Sequence, residues 1–314
     1  MTATDAVDTA APSARTRASG RAMGNPVAIT VLGDPPADVL GEGLATARRL
    51  DELWSRFRPD SDVSRLNRSE GAPCRVHPWT VQLVRAMVDG HRRTGGDFDP
   101  TLLPALVAAG YAASRSDPTC VTDLPATAQA PGDAGGIRIA DDTVTLPPGT
   151  TLDAGGIGKG LAADIIVSAA VDAGAAGVLV EIGGEVVAGG TPGASGAWRI
   201  AVEDPFHPGE HLCVVRLARG AVATSSTLRT RRVGPDGRLV HHLLDPRSGA
   251  PVATDAATVT VIAPTGARAE VLTKPGFLRP VPEYLAWLAS QGAAGLVVTM
   301  DGRVHASAAW NRYL

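Results

Sequence analysis

His242 stands in the run Leu239-Val240-His241-His242-Leu243-Leu244-Asp245-Pro246-Arg247-Ser248-Gly249. An imidazole titrates near neutrality, so it can take a proton from a hydroxyl nucleophile. Leu239–Leu244 reads as a strand that delivers the ring to an Asp-Pro turn, rigid and beside a surface cleft. A histidine next to a β-turn is by itself more often structural, so its weight depends on the rest of the chain. Asp245, three residues on, either orients the ring or serves the turn.

Three glycine-backed turns supply the other chemistry. Asp153-Ala154-Gly155-Gly156-Ile157-Gly158-Lys159-Gly160 runs directly into a helix. Glycines let backbone N–H groups approach an anion, and a helix N-terminus adds positive potential. Lys159 adds a full charge, so a phosphate or pyrophosphate is the natural guest. The spacing is neither that of a P-loop nor the Rossmann fingerprint. A plain strand-to-helix turn remains the alternative. Glu181-Ile182-Gly183-Gly184-Glu185 and Gly95-Gly96-Asp97-Phe98-Asp99-Pro100-Thr101 are the other two turns. Asp97, Asp99, Asp153 and Glu181 are too many carboxylates for a bare phosphate pocket. They suit a ligand with ring N–H and ribose hydroxyl donors, or a metal-bridged pyrophosphate. Equally, Asp97 and Asp99 can cap helices. The hydroxyl cluster Ala223-Thr224-Ser225-Ser226-Thr227 either lines a phosphate site or marks a polar strand end.

These segments need elements to hold them. Pro26–Leu32 alternates as a strand. Ala37–Phe57 and Pro78–Thr94 carry helical apolar spacing, the second stopped by Gly95-Gly96. Ser61 or Asp62 caps a short helix through Leu66. Residues 112–150 are loop-rich, with short strands at Ile137–Ile139 and Thr143–Leu146. A helix runs to Gly174 from the Asp153 turn, and Gly177–Ile182 and Val186–Val187 follow as strand pieces. Trp198–Val202 and Cys213–Leu217 are strands, the latter a candidate partner of Ala221–Thr224. Thr258–Ile262 is a strand, and Ala267–Thr273 a helix that Pro275 disturbs. Glu283–Gln291 is a helix, and Gly295–Met300 with Arg303–Ala306 form a hairpin around Asp301-Gly302. Interleaved hairpins and helices predict an α+β fold, not a doubly wound sheet.

Composition narrows the function classes. The 314 residues are 44% hydrophobic and 19% charged, as in globular proteins. A net charge of −3 offers no basic field to nucleic acid. No apolar run is long enough for a membrane span. The three cysteines, Cys74, Cys120 and Cys213, form neither a metal pattern nor a disulfide framework. Residues 1–21 lack a basic start followed by an apolar segment and are expected to be a disordered tail before one domain at 22–314. The cytoplasm is the expected compartment.

Taken together, the segments resemble the FAD:protein FMN transferase family, the ApbE-like flavin transferases. The likeness runs from Met23-Gly24 through Phe57-Arg58-Pro59-Asp60-Ser61-Asp62-Val63-Ser64-Arg65-Leu66-Asn67, then Gly96 to Thr101, Asp153 to Gly160, Ile182-Gly183-Gly184-Glu185, Ala201-Val202-Glu203-Asp204-Pro205 and His242 to Gly249. Any one is weak, but seven in order are specific. The resemblance implies mixed or antiparallel sheets flanked by helices, with FAD bound between the halves. It implies that a Thr or Ser hydroxyl of an acceptor flavoprotein attacks the FMN phosphorus of FAD and AMP leaves. His242 falls on the family's base, with Asp245 beside it. Met23, Phe57, Asp97, Phe98, Asp99, Asp153 and Lys159 fall on positions that contact FAD. Phe57 stands where Tyr is usual, which keeps ring stacking and loses a hydroxyl.

The resemblance also implies Mg²⁺, held by an Asp, a Thr four residues later and a carbonyl of the Gly-rich turn. Those positions are Glu270, Lys274 and Gly156 here. Glu270 can serve as a ligand, but a protonated Lys274 cannot and repels the ion. Thr273 is adjacent but points about 100° away on a helix. A Glu270–Lys274 ion pair is the expected arrangement. Two alternatives to transfer stay open: a protein that holds FAD without reacting it, favoured by Lys274, and hydrolysis of FAD to FMN and AMP.

Overall fold

A computed structural model describes residues 15–33, 38–233, 237 and 239–314. Its main sheet has eight strands in the order Arg15–Ala22, Asn25–Leu32, Gly177–Ile182, Glu185–Gly190, Gly220–Ser226, Ala256–Ala263, Ala294–Thr299 and Val304–Ala306. Each neighbour pair is antiparallel. The fold is therefore α+β, as the interleaving of hairpins and helices predicts.

The central strands are apolar on both sides because both faces are covered. All eight residues of Ala256–Ala263 are buried. Val187 and Ala221 face one core, and their chain neighbours Val186 and Val222 face the other. This is the period of two expected of a strand. Helices Val39–Trp54, Gly158–Asp172 and Gly266–Leu272 cover the first face. A two-stranded ribbon, Trp198–Glu203 with His211–Leu217, covers the second. Its first strand alternates buried and exposed residues along its whole length.

Between Leu32 and Gly177 the chain builds a layer that ends in the Asp153 turn. Ser61 caps the helix Asp62–Asn67 through a bond from the Ser64 N–H. Helix Pro78–Thr94 stops at Gly95, whose φ of 65° is the left-handed conformation of a C-terminal glycine. Small strands Cys74–Arg75, Arg138–Ala140 and Thr143–Thr145 form a separate three-stranded sheet.

Several sequence expectations are corrected. Arg15–Ala22 is an edge strand paired with Asn25–Leu32, so the expected tail does not reach residue 21; residues 1–14 lie outside the described residues. The helix beginning near Ala37 starts at Val39, and Ala37 lies outside them too. Cys213–Leu217 pairs with Trp198–Val202 and not with Ala221–Thr224, which belongs to the main sheet. Leu239–Leu244 is a strand only at Leu239–Val240. Pro275 ends the last long turn as expected: helix Gly266–Leu272 gives way to a 3₁₀ turn at Lys274–Phe277.

One close approach sets the geometry of everything near the Gly-rich turn. Gly160 and Gly266 face each other where helices Gly158–Asp172 and Gly266–Leu272 meet, and a Cβ on either falls on the other's carbonyl. Asp164 tightens the crossing by accepting bonds from the N–H groups of Gly266 at 2.6 Å and Ala267 at 2.9 Å. Replacing Gly160 with Ala must push backbone against backbone. The expected cost is about 1–3 kcal/mol of stability, read as a lowered midpoint in denaturant unfolding. An unchanged midpoint would show that the helices can separate freely.

Candidate active site

A cavity of about 1100 Å³ opens where the three glycine-backed turns meet the end of Gly220–Ser226. Met23, Phe57, Asp97, Phe98, Asp99, Asp153, Gly156, Lys159, His242, Glu270 and Lys274 all line it. Residues far apart in sequence are thus brought to one wall, and local geometry explains how each arrives.

Met23 occupies the turn between the first two strands with φ 53°. That left-handed conformation costs an L-residue roughly 1–2 kcal/mol. Asn25 stabilises it by donating from Nδ2 to the Met23 carbonyl at 2.6 Å. Phe57 ends the first helical layer, and the Arg56 guanidinium lies 4.3 Å from its ring centre. Arg56 also pairs with Asp153 at 3.0 Å and donates to the Tyr111 carbonyl at 2.8 Å. Asp153 in turn accepts from the Gly155 N–H at 3.2 Å, which shapes the Gly-rich turn. Phe98 is buried against Gly90 and Gly156, where a Cβ on either glycine crowds its ring.

The acidic residues divide differently from the sequence expectation. Asp97 pairs with Arg279 at 2.6 Å and Arg247 at 3.4 Å. Asp99 accepts from both the N–H and hydroxyl of Thr101, at 2.8 and 2.6 Å. Glu181 is exposed, lies 3.9 Å from Arg17 and does not line the cavity. The expectation that Glu181 reaches the ligand site is corrected: the other carboxylate of that turn, Glu185, is the one buried at the cavity wall. In a tight hairpin Glu181 and Glu185 leave the turn in different directions, and only a strand register decides which faces inward.

At the base of the cavity lies a knot of four charges. Lys159 Nζ is 2.5 Å from Glu270 Oε1 and 3.2 Å from Glu185 Oε1. The Gly160 N–H donates to Glu270 Oε2 at 2.8 Å. Burial opposes the Lys159 charge, but Glu185 and Glu270 outweigh it and hold the ammonium firmly protonated. Burial, reinforced by repulsion from Glu270, pushes Glu185 up to about 7 against the pull of Lys159. Its Oε2 has no hydrogen-bond partner among the described residues.

Lys274 completes the knot but not by the expected pair. Its ammonium donates to the carbonyl oxygen of Glu270 at 2.9 Å, not to the carboxylate. Its other partners are Ser225 Oγ and Thr273 Oγ1, both at 3.1 Å. Its stem runs beside Gly156, where a Cβ would lie 3.5 Å from Lys274 Cε. Burial lowers Lys274 to about 8, with Glu270 opposing and Lys159 adding to the fall. The i, i+4 reading fails because the α-helix ends at Leu272, before Lys274 is reached.

His242 is held beyond the short strand, on one arm of a hairpin. The Val252 N–H donates to the Leu243 carbonyl, and the Asp245 N–H to that of Ala250. Asp245 spends its side chain on the turn, accepting from the Arg247 N–H at 2.9 Å. It does not line the cavity, and His242 Nδ1 has no partner among the described residues. The expected Asp245–His242 contact is therefore corrected to a turn-forming role. The ring is instead flanked edge-on by Tyr111, with centres 6.2 Å apart. The Tyr111 hydroxyl lies 2.7 Å from the Thr230 carbonyl and 3.0 Å from that of Val240, where it can donate to either. Burial and then the charges of Lys274 and Lys159 push the imidazole down to about 3. Thr224, Ser225 and Ser226 line the same wall. Arg56 and Tyr111 had no motif to flag them; only the fold brings them in.

The arrangement offers a neutral imidazole, two ammonium groups and a hydroxyl row in one cleft. That is equipment for chemistry at a phosphate ester. No helix among the described residues is long and apolar enough to cross a membrane.

The comparisons agree with this geometry. The sequence profile described as the ApbE family matches residues 23–297. The FAD:protein FMN transferase of Treponema pallidum is 28% identical over 294 residues, covering 87% of this chain and 81% of its own. That of Klebsiella pneumoniae is 26% identical over 273 residues, covering 82% and 77%. Among solved structures, the ApbE protein of Thermotoga maritima superposes with a TM-score of 0.84 at 25% identity, covering 96% of this chain and 99% of its own. The flavinyl transferase ApbE of Pseudomonas stutzeri gives 0.79 at 29% identity, covering 96% of each. With nearly the whole foldable chain matched in sequence and in fold, this protein belongs to the ApbE family.

Proposed function

We propose that this chain transfers the FMN moiety of FAD to a Ser or Thr hydroxyl of an acceptor flavoprotein and releases AMP. The observation that carries the reading is the convergence of His242, Lys159, Lys274 and Ser225 on one cavity. A volume of about 1100 Å³ is at the upper end for small-molecule pockets and suits a dinucleotide.

The chemistry follows from the positions. Met23, Phe57 and Phe98 offer apolar surface to the flavin and adenine rings. The Gly-rich turn and the two ammonium groups receive the diphosphate, which fixes the FMN phosphorus toward the His242 side. The acceptor hydroxyl forms a new P–O bond while the bond from that phosphorus to the bridging oxygen breaks. The hydroxyl proton passes to the imidazole of His242, and AMP departs with the bridging oxygen. Burial, and then the two cations near it, keep His242 neutral but weakly basic. Bound diphosphate brings compensating negative charge and raises the basicity of the ring toward the useful range. The base is thus strengthened by the substrate it serves.

Magnesium is the family's implied partner, and the residues here do not suit it. Both carboxylate oxygens of Glu270 are engaged, one by Lys159 and one by the Gly160 N–H. Lys274 fills the third position with a like charge.

Incubation with FAD and an acceptor domain should add the mass of FMN to the acceptor and release AMP in equal amount. His242→Ala should lower that rate about 10²–10⁴-fold while FAD binding is kept, as measured by flavin fluorescence. AMP release without a mass gain would identify a hydrolase, and undiminished transfer by His242→Ala would remove the base. Tyr111→Phe should lower kcat more than it changes KM, because the hydroxyl is engaged by the carbonyls of Thr230 and Val240 and holds the chain leading to His242.

The imidazole also sets a pH dependence of stability. Its folded pKa of about 3 lies below the unfolded value near 6.5. The unfolded chain therefore binds the extra proton between those values, and stability from this group rises with pH through that window. On going from pH 7 to pH 5 the wild-type chain should lose about 2 kcal/mol more than His242→Ala. Equal losses in urea unfolding would show that the ring is not held neutral by the fold.

A further inference from the structure

We propose that the Lys274 ammonium, braced by Lys159, supplies the charge against the diphosphate that a divalent cation supplies elsewhere, so that this chain binds FAD without a metal. The inference rests on the FAD reading above.

The Lys274 ammonium sits among three oxygens: a carbonyl and two hydroxyls, at 2.9, 3.1 and 3.1 Å. None of them carries a formal charge, so the ammonium is positioned but not neutralised by its own contacts. Its stem is fixed beside Gly156, and the 3₁₀ turn at Lys274–Phe277 holds its backbone. Lys274 lines the cavity and therefore faces the ligand space.

Glu270 shows where the negative charge has gone. A metal site of this shape needs its carboxylate free toward the cavity. Here Lys159 takes Oε1 at 2.5 Å and the Gly160 N–H takes Oε2 at 2.8 Å. The Glu270 side chain is 1% exposed. An incoming diphosphate would meet a mobile donor. The Ser225 hydroxyl is already bonded to Thr273 Oγ1 at 2.7 Å, so Lys274 can redirect that donor without orphaning the serine. A charge-assisted bond to a phosphoryl oxygen is stronger than the hydroxyl contact it replaces.

The test measures FAD affinity by quenching of flavin fluorescence, with excess EDTA or with MgCl₂, and bound Mn²⁺ by electron paramagnetic resonance. Wild-type protein should bind FAD equally in both conditions, and Mn²⁺ should keep its free-ion spectrum when FAD is present. Lys274→Gln should weaken binding in EDTA about 10- to 100-fold. Lys274→Arg, which keeps the charge, should restore most of the affinity, and circular dichroism would show both variants folded. FAD affinity that collapses in EDTA and returns with Mg²⁺, together with an immobilised Mn²⁺ signal, would overturn the proposal while leaving the flavin reading intact. So would Lys274→Gln binding as tightly as wild type in EDTA. Failure of the wild-type chain to bind FAD in either condition would instead remove the flavin reading itself. The wild-type arms need no variant to fold.

Discussion

The contact between Lys159 and Glu270 is the constraint on which the rest of the site depends. Glu270 is 1% exposed, and an unpaired charge that deep would not stay ionised. Lys159 comes from the start of one helix and Glu270 from another, so the pair also sets how those helices meet. The Gly160–Gly266 approach makes that meeting close enough for the Gly160 N–H to reach the same carboxylate. Sterics and electrostatics thus fix one geometry together. A shift in the helix crossing would break both bonds to Glu270 at once.

From that knot the charge pattern spreads outward. Lys159 neutralises Glu270 and shares Glu185, and burial lifts Glu185 to about 7 against that shared pairing. Lys274, excluded from the carboxylate, takes the carbonyl of the same residue and points its charge to the cavity. Burial, with the two lysines adding to it, keeps His242 unprotonated. A second relay runs on the far side, where Arg247 joins the His242 hairpin turn to Asp97, and Arg279 joins Asp97 to the chain beyond Lys274. Asp97 is therefore a clamp between the two halves of the cleft, whatever else it touches when ligand is bound.

Much of this was legible in the residues, and the misses share a physical cause. Gly95, Ser61 and Pro275 act through the backbone within a few residues, so the helix ends they govern appear in the sequence. The Gly-rich turn and the His242 segment were recognisable for the same reason. What could not be read was pairing. Glu181 and Glu185 have equal claims until the register of their hairpin turns one out and the other in. Cys213–Leu217 has strand character but no signal naming its partner, and the covering ribbon with Trp198–Glu203 wins. Arg15–Ala22 is polar enough to look like tail, and it becomes a strand only because Asn25–Leu32 presents an edge to it. Arg56 and Tyr111 carry no motif, yet they hold Asp153 and the His242 loop.

Lys274 shows how such pairing can alter chemistry while the fold stays the same. Four residues separate it from Glu270, and on a continuing helix an ion pair would follow. The helix ends at Leu272, so Lys274 leaves on a tighter turn. Its charge is thereby diverted from the carboxylate to a ring of neutral oxygens facing the ligand space. Had the helix continued, Lys274 would have competed with Lys159 for Glu270, leaving one of them without a counter-charge. The break before Pro275 instead gives each lysine its own place: one on the carboxylates that join the helices, the other on neutral oxygens, both at the cavity wall. A short change of helix type thus decides whether a cation pairs with a carboxylate or is held on neutral oxygens at the cavity wall.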